Sequence, residues 1–166
     1  KHWVPIGGNA RDDSASYNVF SGTLEGNGHC IRNLCVVGNH KYVGLFGALG
    51  GARIRNLGIE SGVVMGASRA AGLSGYIRSG TVIENCYNKA NVSGDASIGG
   101  IAGMISGTDC RILNCYNVGA VSGNASYAGI AGYLSSAAKG CVIENSYHGG
   151  SCAVAIVGNT NSAATG

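Results

Sequence analysis

Apolar residues along this chain fall into short runs bounded by Gly, Asn and Ser. No glycine-free stretch places them at the i, i+3, i+4, i+7 spacing of an amphipathic helix. Segments such as Val82-Ile83-Glu84 and Ile98-Gly99-Gly100-Ile101 are short, rich in β-branched residues and flanked by turn formers, so they read as strands. The pattern therefore predicts many short strands and disfavours helices.

The runs recur. Gly-apolar-x-Gly occurs as Gly44-Leu45-Phe46-Gly47, Gly72-Leu73-Ser74-Gly75, Gly100-Ile101-Ala102-Gly103 and Gly129-Ile130-Ala131-Gly132, with first glycines 28, 28 and 29 residues apart. A second pattern, Ile-x-Asn, occurs at Ile31-Arg32-Asn33, Ile54-Arg55-Asn56, Ile83-Glu84-Asn85, Ile112-Leu113-Asn114 and Ile143-Glu144-Asn145, its asparagines stepping by 23, 29, 29 and 31. Two landmarks drifting together define a repeat of supersecondary size. A leucine-rich repeat would need a Leu-x-x-Leu-x-Leu frame, which is absent.

Strands that return once per repeat can stack in register about 4.8 Å apart, so the four to five coils would build a parallel β-helix, five of them making a rod of roughly 25 Å. Equivalent positions then form ladders, with Ile inside and Asn at a bend, where a carboxamide can bond both backbone and the next Asn. Glycine would supply positive-φ turns and let the chain bend around a narrow core. In this frame Cys86 and Cys115 share a core column with Leu34 and Leu57, and Cys110 and Cys141 share another.

Composition supports one domain of this kind. Of 166 residues, 30 are Gly and one is Pro, 45% are hydrophobic and 11% charged, which excludes collagen and disorder alike. The net charge of +3 is scattered without a basic block, so no nucleic-acid footprint is present, and no apolar run reaches the roughly 18 residues of a membrane-spanning helix. The abrupt opening at Lys1-His2-Trp3 suggests a piece of a longer protein. Residues 1–19 are expected to form an entry segment or cap, 20–150 the coils, and 151–166 an irregular last coil and tail.

The Gly-Leu-x-Gly element followed by an Asn-centred strand resembles the GLUG-motif repeat family, from about Phe20 to Gly158. Trp3-Val4-Pro5-Ile6-Gly7 and Phe20 to His29 also resemble the stretch that opens such arrays. Ile101 and Ile130 replace the motif's leucine conservatively. The resemblance implies a right-handed β-helix in a large bacterial surface protein, adhesin-like or a non-catalytic part of a larger chain. It implies no catalytic residues and no cofactor.

Candidate chemistry is sparse. Seven cysteines, an odd number without CxxC spacing, argue against a disulfide framework or zinc site and leave buried thiols as the main reading, with an intercoil disulfide open. The eight acids include one adjacent pair, Asp12-Asp13, in a polar loop. Glu84 and Glu144 share a ladder position two coils apart with Leu113 between them, and Arg55 lies one coil from Glu84, suggesting a surface ion pair. His2, His29, His40 and His148 sit at unrelated places.

Tyr87, Tyr116 and Tyr147 each follow the ladder Asn by two positions and form an aromatic stripe. It could hold a sugar or a peptide, or simply cover the edge of the rod. The expectation is a non-catalytic extracellular repeat module, adhesive, ligand-presenting or a spacer. Its partners would be a host glycan, a host protein or other domains of the same chain. The alternative is a carbohydrate-binding or carbohydrate-active β-helix of the polysaccharide lyase or hydrolase kind.

Overall fold

The computed structural model describes residues 2–8, 18–39 and 41–160, and within them the chain is an all-β parallel solenoid of about five turns. The first coil holds β1 (Thr23–Glu25), β2 (Cys30–Ile31), β3 (Leu34–Gly38) and β4 (Phe46–Gly50). The second holds β5 (Arg53–Arg55), β6 (Gly58–Ile59), β7 (Gly62–Ala71) and β8 (Ser74–Arg78). The third holds β9 (Val82–Glu84), β10 (Tyr87–Asn88), β11 (Asn91–Gly99) and β12 (Ala102–Ile105). The fourth holds β13 (Arg111–Leu113), β14 (Tyr116–Asn117), β15 (Val121–Ala128) and β16 (Ala131–Leu134). The fifth keeps β17 (Val142–Glu144), β18 (Tyr147–His148) and β19 (Val157–Thr160).

Each strand pairs in parallel with its equivalent in the next coil, giving four faces. Face 1 is β1-β5-β9-β13-β17, face 2 is β2-β6-β10-β14-β18, face 3 is β3-β7-β11-β15 and face 4 is β4-β8-β12-β16-β19. Among the described residues face 3 has no strand from the fifth coil, in keeping with the irregular Ala153–Val157 sequence. At the opposite end, Ile6 bridges to Phe46 and Phe20 to Leu49, so residues flanking the undescribed 9–17 segment lie against face 4.

Alternation places one side chain in two inside. Ile54, Ile83 and Ile112 fill the core from face 1, Val36, Val64, Val92 and Val121 from face 3, and Leu49, Ile77 and Ile105 from face 4. All ten are nearly or fully buried, so apolar burial along the whole axis is the main stabilising term. The columns loosen at the ends, where Leu24, Ile31, Ile143 and Val157 are only partly covered.

The asparagine ladder forms as expected at the corner between faces 1 and 2. Asn85 Nδ2 donates to Asn56 Oδ1 at 3.0 Å, Asn114 Nδ2 to Asn85 Oδ1 at 3.2 Å, and Asn145 Nδ2 to Asn114 Oδ1 at 3.2 Å. All four take positive φ, between 49° and 53°, a left-handed conformation that Asn tolerates better than most side chains.

Several expectations are corrected. Ile31-Arg32-Asn33 is not the first rung: Leu24 pairs with Ile54 and Glu25 with Arg55, while Ile31 pairs with Ile59 on face 2. Glu25 starts the ladder instead, its Oε1 accepting Asn56 Nδ2 at 2.7 Å. The anomalous step of 23 marked this mismatch. Leu34 therefore leaves the cysteine column and opens β3, opposite Gly62. Ile98 to Ile101 is not one strand, because β11 ends at Gly99 and the chain turns at Gly100-Ile101.

Of the two roles expected of glycine, the motif positions serve the second and not the first. Their φ is not left-handed; the positive-φ glycines Gly51, Gly80 and Gly140 line the corner between faces 4 and 1 instead, with Asp109 at the fourth-coil position. A Cβ on Gly72, Gly100 or Gly129 would collide with the side chain of Asn88, Asn117 or His148, and one on Gly75, Gly103 or Gly132 with the backbone of β7 or β11. Close approach across a narrow interior, not turn conformation, fixes these glycines.

Candidate functional site

Face 2 carries the three tyrosines. Period-two alternation points residues 87, 116 and 147 outward and their successors inward. The Tyr87 and Tyr116 ring centroids are 5.0 Å apart with planes 7° apart, and Tyr116 and Tyr147 are 5.3 Å and 10° apart. The rings thus stack on one another along the axis and turn edges and hydroxyls outward. Below Tyr87 the column continues as Gly58, over which the Tyr87 ring lies, so that a Cβ there would strike it. At the other end Tyr147 is 56% exposed.

One end of this column is charged. Tyr87 Oη donates to Glu60 Oε2 at 2.8 Å, Lys89 Nζ meets Glu60 Oε1 at 2.9 Å, and Lys89 lies 5.3 Å from the Tyr87 ring centre. Hydrogen bonds from Lys89 and then Tyr87 hold the Glu60 carboxyl below its usual range. Its own bond to Glu60 raises Lys89, and the bond to Glu60 is likewise the main reason the Tyr87 phenol is raised. Further along, Val118 stands exposed beside Tyr116.

Behind the tyrosines runs a second polar ladder that sequence reasoning missed. Asn88 and Asn117 are fully buried, and Asn88 Nδ2 donates to Asn117 Oδ1 at 2.7 Å. Each amide also closes a ring with backbone two residues on: Asn88 donates to Ala90 O and accepts from Ala90 N, and Asn117 does the same with Gly119. Asn117 Nδ2 lies 2.9 Å from His148 Nδ1, which continues the column, while His148 Nε2 is buried with no partner among the described residues. The signal was present: a polar residue follows each stripe tyrosine, and strand alternation turns it inward.

A further cluster had no sequence signal. Arg69, in a left-handed conformation on β7, sets its guanidinium 5.3 Å from the Tyr42 ring and 5.7 Å from the Tyr76 ring, with Nε 3.0 Å from Met104 Sδ. These residues come from three coils, and of them only Tyr76 and Met104 share a repeat position, as register partners on face 4.

The seven cysteines are free thiols, with Cys86, Cys110 and Cys115 buried and the rest half-buried. Burial pushes the Cys110 thiol up to about 12, the charge on Cys141 adding to it, and the Cys115 thiol is raised first by its bond with Cys86 and then by burial. Leu113 does separate Glu84 from Glu144 in register. Arg55 lies opposite Glu84, but the ion pair it makes runs the other way, Nε to Glu25 at 3.8 Å. Asp12-Asp13 and His40 lie outside the described residues. Among the described residues no three His, Cys, Asp or Glu side chains gather as a metal group, and no helix is long and apolar enough to cross a membrane.

No family model matches the chain, and no solved structure matches it. Over 106 residues, 63% of its length, it is 35% identical to halomucin of Haloquadratum walsbyi. That stretch is 1% of halomucin's own length. The GLUG likeness therefore rests on the motif residues themselves, and the chain is established as a parallel β-solenoid similar to a short part of a far longer protein.

Proposed function

We propose that this chain is a non-catalytic repeat module of an extracellular surface protein, serving as a spacer that presents its outer faces. The observation that carries the reading is the amide ladder from the second coil to the fifth together with the apolar columns beside it, which give the repeat to rigidity rather than to a reaction centre. Halomucin, a protein with a mucin-type name, supports a place at the cell surface. The module acts without cofactor, nucleic acid or membrane insertion, and its partners are a host glycan, a host protein or neighbouring domains.

Incubation with pectins, alginates and glycosaminoglycans tests the non-catalytic part. No turnover is expected, and turnover lost on Glu84→Gln or Glu144→Gln would replace this reading with an enzymatic one.

Carbohydrate binding is a second reading, and the tyrosine column favours it. Because the rings face one another, a sugar would meet a free ring face only at Tyr147 and would otherwise meet hydroxyls and the exposed Val118. A glycan array probed with the wild type and Tyr147→Ala separates the two readings. Glycan capture lost in the variant supports binding, and no capture by the wild type leaves the spacer.

A further inference from the structure

Two pairs of thiols stand on adjacent coils. Cys86 and Cys115 directly precede the paired Tyr87 and Tyr116, and Cys110 and Cys141 directly precede the paired Arg111 and Val142. Cys30 and Cys35 have no thiol opposite them in register, since Cys30 pairs with Gly58 and Cys35 with Val63. In-register neighbours across a parallel ladder have Cα atoms about 4.8 Å apart, inside the span a disulfide bridges, although parallel Cβ vectors leave the sulfurs slightly too far apart without a small shift.

The two pairs differ in how they meet that requirement. Cys86 and Cys115 are each 1% exposed and held in the middle of the stack by coils on both sides, so neither reaches an oxidant and neither can shift. Cys141 is half-buried, on the last coil with strands on face 1. Its Sγ lies 3.1 Å from the Gly107 carbonyl, which is also 3.9 Å from Cys110 Sγ, although the shortest bond of Cys110 is to the Arg78 carbonyl at 3.0 Å and must be given up for the two sulfurs to meet. The connection ahead of Cys141 passes through Gly140, whose positive φ is a conformation glycine adopts at no steric cost and which faces only the movable carboxylate of Asp109.

We propose that Cys110 and Cys141 form an intercoil disulfide when the protein meets a disulfide oxidant, stapling the fifth coil to the fourth. With oxidised glutathione, the Cys141 thiolate attacks one glutathione sulfur, expels the other glutathione as its thiolate and becomes a mixed disulfide. Cys110 then loses its proton to solvent base and attacks the Cys141 sulfur, releasing the second glutathione thiolate. Two protein thiols are oxidised to one disulfide, and one glutathione disulfide is reduced to two thiols. Burial keeps Cys110 protonated and makes the second step slow, but the charge on Cys141 that adds to this effect disappears once Cys141 is capped.

The test treats the full chain with oxidised glutathione and reads intact mass, peptide map and unfolding temperature. The expected product is lighter by two hydrogens and yields a peptide joining Cys110 to Cys141. It forms faster as pH rises and unfolds several degrees higher than the reduced protein, because the bond closes a long loop of the unfolded chain. Cys141→Ser, a small change at a half-exposed site, should give no cross-link and no oxidant-dependent shift. A persistent glutathione adduct on Cys141, a Cys86 to Cys115 cross-link, no reaction, or a cross-link without a gain in unfolding temperature would each overturn the proposal.

Discussion

At the scale of single residues, two unlike constraints produce the repeated landmarks, and substitutions tell them apart. Asn85 combines a left-handed φ of 52° with amide bonds to Asn56 and Asn114. Asn85→Gly keeps the conformation and loses the bonds, which are exposed, so it should destabilise by about 1 kcal/mol. Asn85→Ala loses the bonds as well and leaves a Cβ in the left-handed region without the amide that makes it tolerable, so it should cost about 1 kcal/mol more than the glycine variant. Equal losses in urea titrations of the two variants would mean that backbone conformation contributes nothing there. The glycines show the same contrast: Gly51→Ala meets open space at φ +65° and should cost about 1 kcal/mol. Gly100→Ala drives a methyl into Gly129 and Asn117 and should cost about 3 kcal/mol or more. Urea denaturation of both checks the order, and a milder Gly100→Ala would show that the interior can widen.

Elements are set by where ladders begin and end, and charge decides one of those ends. Every amide of the outer ladder donates toward the first coil, so the run must finish on an acceptor, which Glu25 supplies. The bond from Asn56, then that from the Asn27 backbone, holds the Glu25 carboxyl below the usual carboxylate range. A lowered folded-state pKa contributes stability that is complete above the unfolded value near 4.3 and is lost as pH falls through the folded value. Denaturant midpoints measured from neutral pH down to about pH 3 should therefore fall on the acid side. Glu25→Gln should fall less steeply, with Glu60, bonded to Lys89 and Tyr87, supplying part of the remainder. An unchanged acid limb in the variant would remove Glu25 from this role.

The strands themselves were legible because period-two alternation and a near-constant repeat place Ile54, Ile83 and Ile112 in one column. What the sequence did not reveal is local geometry that a repeat count cannot carry. The extra residues around Asn27-Gly28 shift the first coil, so Asn33 mimics a rung that Glu25 in fact occupies. Asn88 and Asn117 were passed over because buried amides violate the usual partition, and only their partners, each other and the backbone at Ala90 and Gly119, make that burial tolerable. The Arg69 contacts join three coils, and although Tyr76 and Met104 stand at one register position, the repeat does not announce the arginine they meet.

The whole molecule is a stack in which each coil packs chiefly on its neighbours, so its stability should behave approximately as a sum of coil and interface terms. Asn85 and Asn114 stand 29 residues apart on adjacent rungs, and the residues between them make one complete turn. Deleting Cys86 through Asn114 joins Asn85 to Cys115 and preserves every column: Asn145 comes to lie above Asn85, Tyr116 occupies the place of Tyr87, and Ile143 meets Ile83. This shortened chain should fold cooperatively, with a smaller denaturant slope because less surface is exposed on unfolding, and with a rod shorter by about 4.8 Å in solution scattering. Deleting Glu84 through Arg111 instead joins Ile83 to Ile112 within one strand and turns one of the two isoleucines to solvent, which a period-two element does not tolerate. That second chain should lose cooperative unfolding although it is one residue closer to the parent in length. If both deletions behave alike, the coils are not interchangeable layers, and the register of the ladders is not what organises the molecule.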